Sequence, residues 1–151
     1  MPSTIARQGP AGSGLDNESP SQHETLKAVA SLAQRRADIA AVWLYGSRAR
    51  GDSHPESDFD LAVAFTGWIT DPLERRLRPE LLAQEWQHKL GLKEAMLSVV
   101  DLAIVPIPLG WSILSQGVLL ADFDRERRMR QESRILSRWE IDYLHPEGIH
   151  A

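Results

Sequence analysis

The sequence predicts an α/β (α+β) domain: a small mixed β-sheet with helices packed on one face and the active site on the other. Three observations lead there. Apolar runs of strand character, Ala41 to Tyr45, Asp58 to Phe65 and Leu97 to Val105, alternate with segments of helical spacing. In the second and third runs the acids fall inside the strand pattern, each on one period-2 face. The chain has 151 residues, enough for one domain around a single core.

The elements follow in order. Residues 1–20 are rich in Ser, Gly and Pro, and the composition predicts a disordered tail. Gln22 to Arg36 has helical spacing through Leu26, Val29, Ala30, Ala33 and Ala37. Ala41 to Tyr45 is apolar enough for a central strand. Gly51 to Ser57 reads as a loop, since Asp52, Ser53, His54 and Pro55 are turn formers. His54, in that loop, reads as solvent-exposed. Asp58 to Phe65 is the second strand, and Gly67 to Pro72 another loop. A helix from about Leu73 to Leu90 carries Leu73, Leu77, Leu81, Trp86 and Leu90 as its expected buried stripe, and Gly91 ends it.

Leu97 to Val105 is the third strand, and Pro106-Ile107-Pro108 redirects the chain. Trp111 to Gln116 predicts a short helix ending at Gly117, and Val118 to Ala121 a short edge strand. The last helix, Arg125 to Tyr143, carries Met129, Leu136, Trp139 and Tyr143 as a stripe that either packs on the core, the default expectation, or forms a partner or dimer surface. The domain is thus expected over residues 21–145, with a short tail at 146–151.

The residues that carry chemistry cluster in this frame. Gly46-Ser47 closes the first strand, Asp58-Phe59-Asp60 opens the second, and Asp101 lies within the third. Asp58 and Asp60 share a face with Ala62 and Ala64, whereas Phe59, Leu61, Val63 and Phe65 fill the other. If the strands pair in the right register, Asp58, Asp60 and Asp101 converge. Three carboxylates held together repel one another unless a cation relieves them. Mg²⁺ suits such a site, because it binds through one or two carboxylates, waters and substrate phosphates. Two such ions roughly 3.5–4 Å apart activate an attacking oxygen and stabilise a leaving one. Gly46 allows a ligand to approach the backbone, and Ser47 begins a helical turn suited to phosphate. There is no G-x-x-x-x-G-K-[ST] loop. The chain lacks cysteine and has no His pair at ligand spacing, which argues against zinc.

At these positions the chain resembles the polymerase-β-type nucleotidyltransferase superfamily, and within it the minimal nucleotidyltransferases. Gly46-Ser47-Arg48-Ala49-Arg50-Gly51 is similar to the G-S-x-A-R-G form of bacterial and archaeal members, and Ser57-Asp58-Phe59-Asp60-Leu61 to their S-D-x-D-L. Asp101 falls where a third family carboxylate is expected. The resemblance reaches from about residue 22 to about residue 145. It implies the minimal nucleotidyltransferase fold and an ATP- and Mg²⁺-dependent AMP transferase. Asp58 and Asp60 would bind two Mg²⁺ ions and the nucleotide phosphates; Asp101 would hold the second metal and help activate the acceptor hydroxyl. Gly46 and Ser47 would position the triphosphate, with Arg48 and Arg50 touching phosphate or an acidic neighbour. Many minimal members are antitoxins encoded beside a HEPN-domain ribonuclease toxin, and the antitoxin can adenylylate a toxin tyrosine. The implied partner is therefore a HEPN toxin, in a homo- or hetero-oligomer.

Composition narrows the alternatives. A formal charge of −4 argues against broad nucleic-acid binding, and the arginines of Arg125 to Arg138 are interleaved with Glu126 and Glu132. No run approaches the ~18 apolar residues of a membrane span. With no disulfide possible, a cytoplasmic protein is the expectation. Two other readings compete with the antitoxin transferase. An aminoglycoside-like small-molecule transferase usually carries a larger C-terminal helical domain, for which the residues after Gly117 are too few. A stoichiometric inhibitor that binds a toxin without catalysis needs no intact carboxylates.

Overall fold

A computed structural model describes residues 19–144. The chain order is α1 (Ser19–Gln34), β1 (Ile39–Tyr45), α2 (Ser47–Arg50), β2 (Phe59–Phe65), α3 (Pro72–Leu90), β3 (Leu97–Asp101), α4 (Ile107–Gln116), β4 (Val118–Asp122) and α5 (Arg125–Trp139). A π-helical turn, Glu140–Leu144, prolongs α5. The expected tails lie outside the described residues, except that Ser19 and Pro20 belong to α1.

The strands form one mixed sheet in the order β3-β2-β1-β4. β1 pairs antiparallel with β2 and with β4, while β2 and β3 run parallel. β1 and β2 are nearly continuous apolar runs because both of their faces are covered. On one face Val42, Leu44, Leu61, Val63 and Val99 join Val29 and Ala33 of α1 and Leu82 and Trp86 of α3. On the other, Trp43, Ala62 and Ala64 join Leu102, Ile113 of α4 and Ile135 of α5. The fold class is the expected one, but helices pack on both faces. The small residues Ala62 and Ala64 let the second pair approach; toward Asp60 that face thins to the partly buried Tyr45 and Val100.

Local signals account for the element ends. Asp71 caps α3, its carboxylate accepting from the Glu74 N–H at 2.9 Å, with Pro72 in the first turn. Asp124 caps α5 in the same way through Arg127 N–H. Gly110 of α4 allows a close crossing, since a Cβ there would lie 3.0 Å from Ile135 Cδ1.

Two expected stripes are corrected. Leu73, Leu77 and Leu81 of α3 are exposed, whereas Trp86 is buried and Leu90 packs against the core as expected, and Pro79 and Leu82 are buried with Trp86. On α5, Met129, Leu136 and Tyr143 are exposed and Ile135 is buried, while Trp139 stacks between Trp111 and Tyr143. On α3 the sheet took the row of Pro79, Leu82 and Trp86, and on α5 Ile135 is the buried residue. The third strand also stops early. β3 ends at Asp101, where Ile104 and Val105 N–H groups both turn back to the Asp101 carbonyl.

Candidate active site

The tight turn after β1 depends on Gly46. Its φ of 77° and ψ of −158° suit a residue without a side chain. A Cβ there would sit 2.3 Å from Asp60 Oδ2, so the Asp60 carboxylate lies against bare backbone. Ser47 then opens the four-residue helix α2. The G-S and D-x-D segments, distant in sequence, meet because β1 and β2 pair antiparallel with Tyr45 opposite Asp60.

Register decides what else joins them. Asp60 pairs with Ser98 of β3, so Tyr45, Asp60 and Ser98 form one cross-strand row on one face. The Ser98 hydroxyl donates to Asp60 Oδ1 at 3.1 Å. Burial raises the Asp60 pKa above the usual carboxylate range; the Ser98 hydrogen bond opposes this, the Asp58 charge adds to it and Arg50 opposes it. The Tyr45 phenol is also pushed up, by burial and by the Asp60 charge. Asp58 precedes the first ladder residue and is exposed. Arg50 is exposed and reaches Asp52 at 3.4 Å.

Two expected site residues lie elsewhere. Asp101 pairs with Val63, which puts it on the opposite face of the sheet from Asp60. It also lies three ladder positions further along, roughly 10 Å by strand rise. Only 2% exposed, it belongs to the row of Val42 and Val63. Its Oδ1 accepts from the Ala103 N–H at 2.9 Å and thereby builds the turn that ends β3. Its Oδ2 lies 3.9 Å from Arg78, a Coulombic contact too long for a hydrogen bond. Burial raises the Asp101 pKa, against the Ala103 N–H, Arg78 and Arg134. With Arg78, Arg127, Arg130 and Arg134 it lines a cavity of about 400 Å³ at the far ends of β2 and β3. The expected convergence of three carboxylates therefore fails: Asp101 stands three ladder positions from Ser98, an odd offset that puts its side chain on the other face.

Arg48 is the second correction. Only 4% exposed, it faces the protein and not a phosphate site. Its guanidinium donates to the Ser57 carbonyl at 2.8 and 3.0 Å and to Pro55 at 3.3 Å, and to Gln22 Oε1 at 2.6 Å. It stacks over the Phe59 ring at 4.0 Å. Arg48 thus moors the loop that delivers Asp58. His54, in that loop, is exposed as expected, and its Nδ1 accepts from the Glu56 N–H.

Sequence reasoning missed Ser98 and Tyr45. Only the ladder reveals them, although Ser98 is the one polar residue inside the apolar run of β3 before Asp101. Among the described residues no group of three or more His, Cys, Asp or Glu is placed to hold a metal ion. Asp58 and Asp60 fit the lesser requirement of a Mg²⁺ ion that takes one or two carboxylates and completes its shell with water and phosphate.

The profile of the family described as "Polymerase beta, Nucleotidyltransferase" matches residues 27–126. No curated protein matches the chain in sequence. Among solved structures, the chain is similar to a toxin–antitoxin with AMP-PNP (22% identity, TM-score 0.61, covering 82% of this chain and 90% of that one). It is also similar to the toxin–antitoxin MntA-HepT (19%, TM-score 0.58, 83% and 92%). A third is a tri-AMPylated Shewanella oneidensis HEPN toxin in complex with an MNT antitoxin (20%, TM-score 0.57, 84% and 91%). At these identities the likeness is one of fold.

Proposed function

The chain belongs to the polymerase beta nucleotidyltransferase family, and we propose that it is an antitoxin that transfers AMP from ATP to a hydroxyl of a HEPN toxin. The acceptor is a tyrosine in this reading. The observation that carries it is the contact between Gly46 and Asp60, which sets a carboxylate against a bare turn of backbone beside Ser47. An acid in the middle of a half-buried face is costly unless something uses its charge. The similarity to a toxin–antitoxin with AMP-PNP and to a complex with a tri-AMPylated HEPN toxin supports the choice of nucleotide and partner.

The chain's own residues have the following parts. Gly46 leaves room for the Asp60 carboxylate beside the triphosphate, and the Ser47 hydroxyl hydrogen-bonds the triphosphate. Asp58 and Asp60 would hold Mg²⁺, which neutralises phosphate charge when bound. Ser98 orients Asp60 by donating to Oδ1. Arg50, exposed at the end of α2, adds positive charge beside the phosphates. Arg48 positions the Asp58 loop from below and takes no part in binding.

One observation favours a second reading. Asp101 faces α3 and not the site, so among the described residues no third carboxylate stands ready to activate an acceptor hydroxyl. A toxin inhibitor that binds nucleotide and neutralises its partner by stoichiometric contact fits that geometry. Intact-mass spectrometry of the neighbouring-gene toxin separates the two. The toxin is incubated with this protein, ATP and Mg²⁺, beside an Asp58→Ala/Asp60→Ala control. Added AMP masses that vanish in the control support the transferase. A stable complex with no added mass supports the stoichiometric inhibitor.

A further inference from the structure

A nucleotidyl-transfer site that holds two cations shares carboxylates between them, and the ion with fewer phosphate ligands leans on a further carboxylate at its own flank. Here one flank is supplied by Asp58 and Asp60. The other is the β3 residue directly across from Asp60 on the same face, and that residue is Ser98. Neighbouring strands lie roughly 4.8 Å apart, so a carboxylate at this position would share a cation with Asp60. A serine hydroxyl is neutral and attracts no second dication. In this fold it donates to Asp60 Oδ1 at 3.1 Å, occupying a lone pair that a bridging carboxylate would offer to metal.

Nothing nearby compensates. The next β3 residue on that face is Val100, opposite Ala62. Tyr45, on the other side of Asp60, brings a phenol and no carboxylate. Asp101 is committed to the opposite face, to the Ala103 N–H and to Arg78. Among the described residues no third acid joins Asp58 and Asp60.

We infer that this site takes a single divalent cation with its nucleotide, and that Ser98 is the residue that sets that number. The inference rests on the reading above that the site binds a nucleoside triphosphate, and it departs from the two-ion expectation. It also assigns Ser98 a specificity role: the neutral hydroxyl keeps nucleotide binding while withholding the group that would activate an acceptor.

Equilibrium dialysis with Mn²⁺ and AMP-PNP tests this on the full chain, with bound Mn²⁺ counted by electron paramagnetic resonance. One Mn²⁺ per bound AMP-PNP is expected for the wild type and for Ser98→Ala, and two for Ser98→Asp. Two ions in the wild type overturn the inference and leave the nucleotide reading intact. A folded Ser98→Asp that stays at one ion also overturns it. The wild-type count decides the matter even if Ser98→Asp does not fold. No nucleotide bound by the wild type, with or without Mn²⁺, overturns the underlying reading itself.

Discussion

Replacing Asp101 by alanine should destabilise the fold and leave cation binding at Asp58 and Asp60 unchanged. The acceptor lost is Oδ1, which takes the Ala103 N–H at 2.9 Å in the turn that ends β3. Leaving a buried donor without a partner costs about 1–3 kcal/mol. The Arg78 contact adds little, because 3.9 Å is too long for a hydrogen bond. Some of the loss is offset, since the substitution also removes a buried carboxylate whose Oδ2 lacks a partner. A net loss of about 1–2 kcal/mol follows, or a melting temperature lower by roughly 2–8 °C for a domain of this size. Asp101→Asn keeps an oxygen for Ala103 and loses the charge, so it should lose less than Asp101→Ala. Thermal melts of the three proteins, with Mn²⁺ titrations in parallel, measure both quantities. If Asp101→Asn melts like the wild type but loses its bound Mn²⁺, Asp101 is a ligand and the register argument is wrong.

Further outcomes concern the site and its supports. Gly46→Ala places a Cβ 2.3 Å from Asp60 Oδ2 at a φ of 77°, so AMP-PNP binding should fall at least about tenfold by calorimetry with roughly 1–3 kcal/mol of backbone strain. Unchanged affinity would mean that Asp60 does not rest on this turn. Arg48→Ala unmoors residues 54–57 and should lower the melting temperature by an amount corresponding to about 2–4 kcal/mol; an Arg48→Lys rescue would show that the planar guanidinium is not needed. Asp60 has a raised pKa, first through burial, so its charge costs stability at neutral pH and that cost fades as pH falls through the raised value. Asp60→Asn should therefore melt higher than wild type at pH 7 and converge with it in acid, while wild-type Mn²⁺ affinity declines at a pH above the ordinary Asp range. A melting difference that grows toward low pH would contradict this sign. Ser98→Asp should raise the rate of AMP addition to the toxin by roughly 10²-fold, the usual scale of a placed proton acceptor; a rate at or below wild type would detach that role from this position.

Much of this was legible in the chain because it is local. Asp60, Ala62 and Ala64 share a face by the period of a strand alone, and they do so in the structure. Gly46-Ser47 read as a turn because glycine is the residue that accepts a positive φ. The caps of α3 and the end of that helix at Gly91 follow from Asp71, Pro72 and the glycine itself. The alternation also put Asp101 with Val99, and that too holds, since both lie on the face toward α3.

What a single strand cannot state is its offset against a neighbour. Hydrogen bonding between β2 and β3 paired Asp60 with Ser98 and Val63 with Asp101, and a shift of one residue inverts every side chain. Arg48 was likewise read by its place in a motif, whereas its burial between Gln22, Phe59 and the Ser57 carbonyl depends on α1 and β2 arriving beside it. The sequence by itself determined the elements, the turn and the family to which the chain belongs. Only the tertiary structure decided which polar groups meet, because face is a property of one strand and register is a property of two.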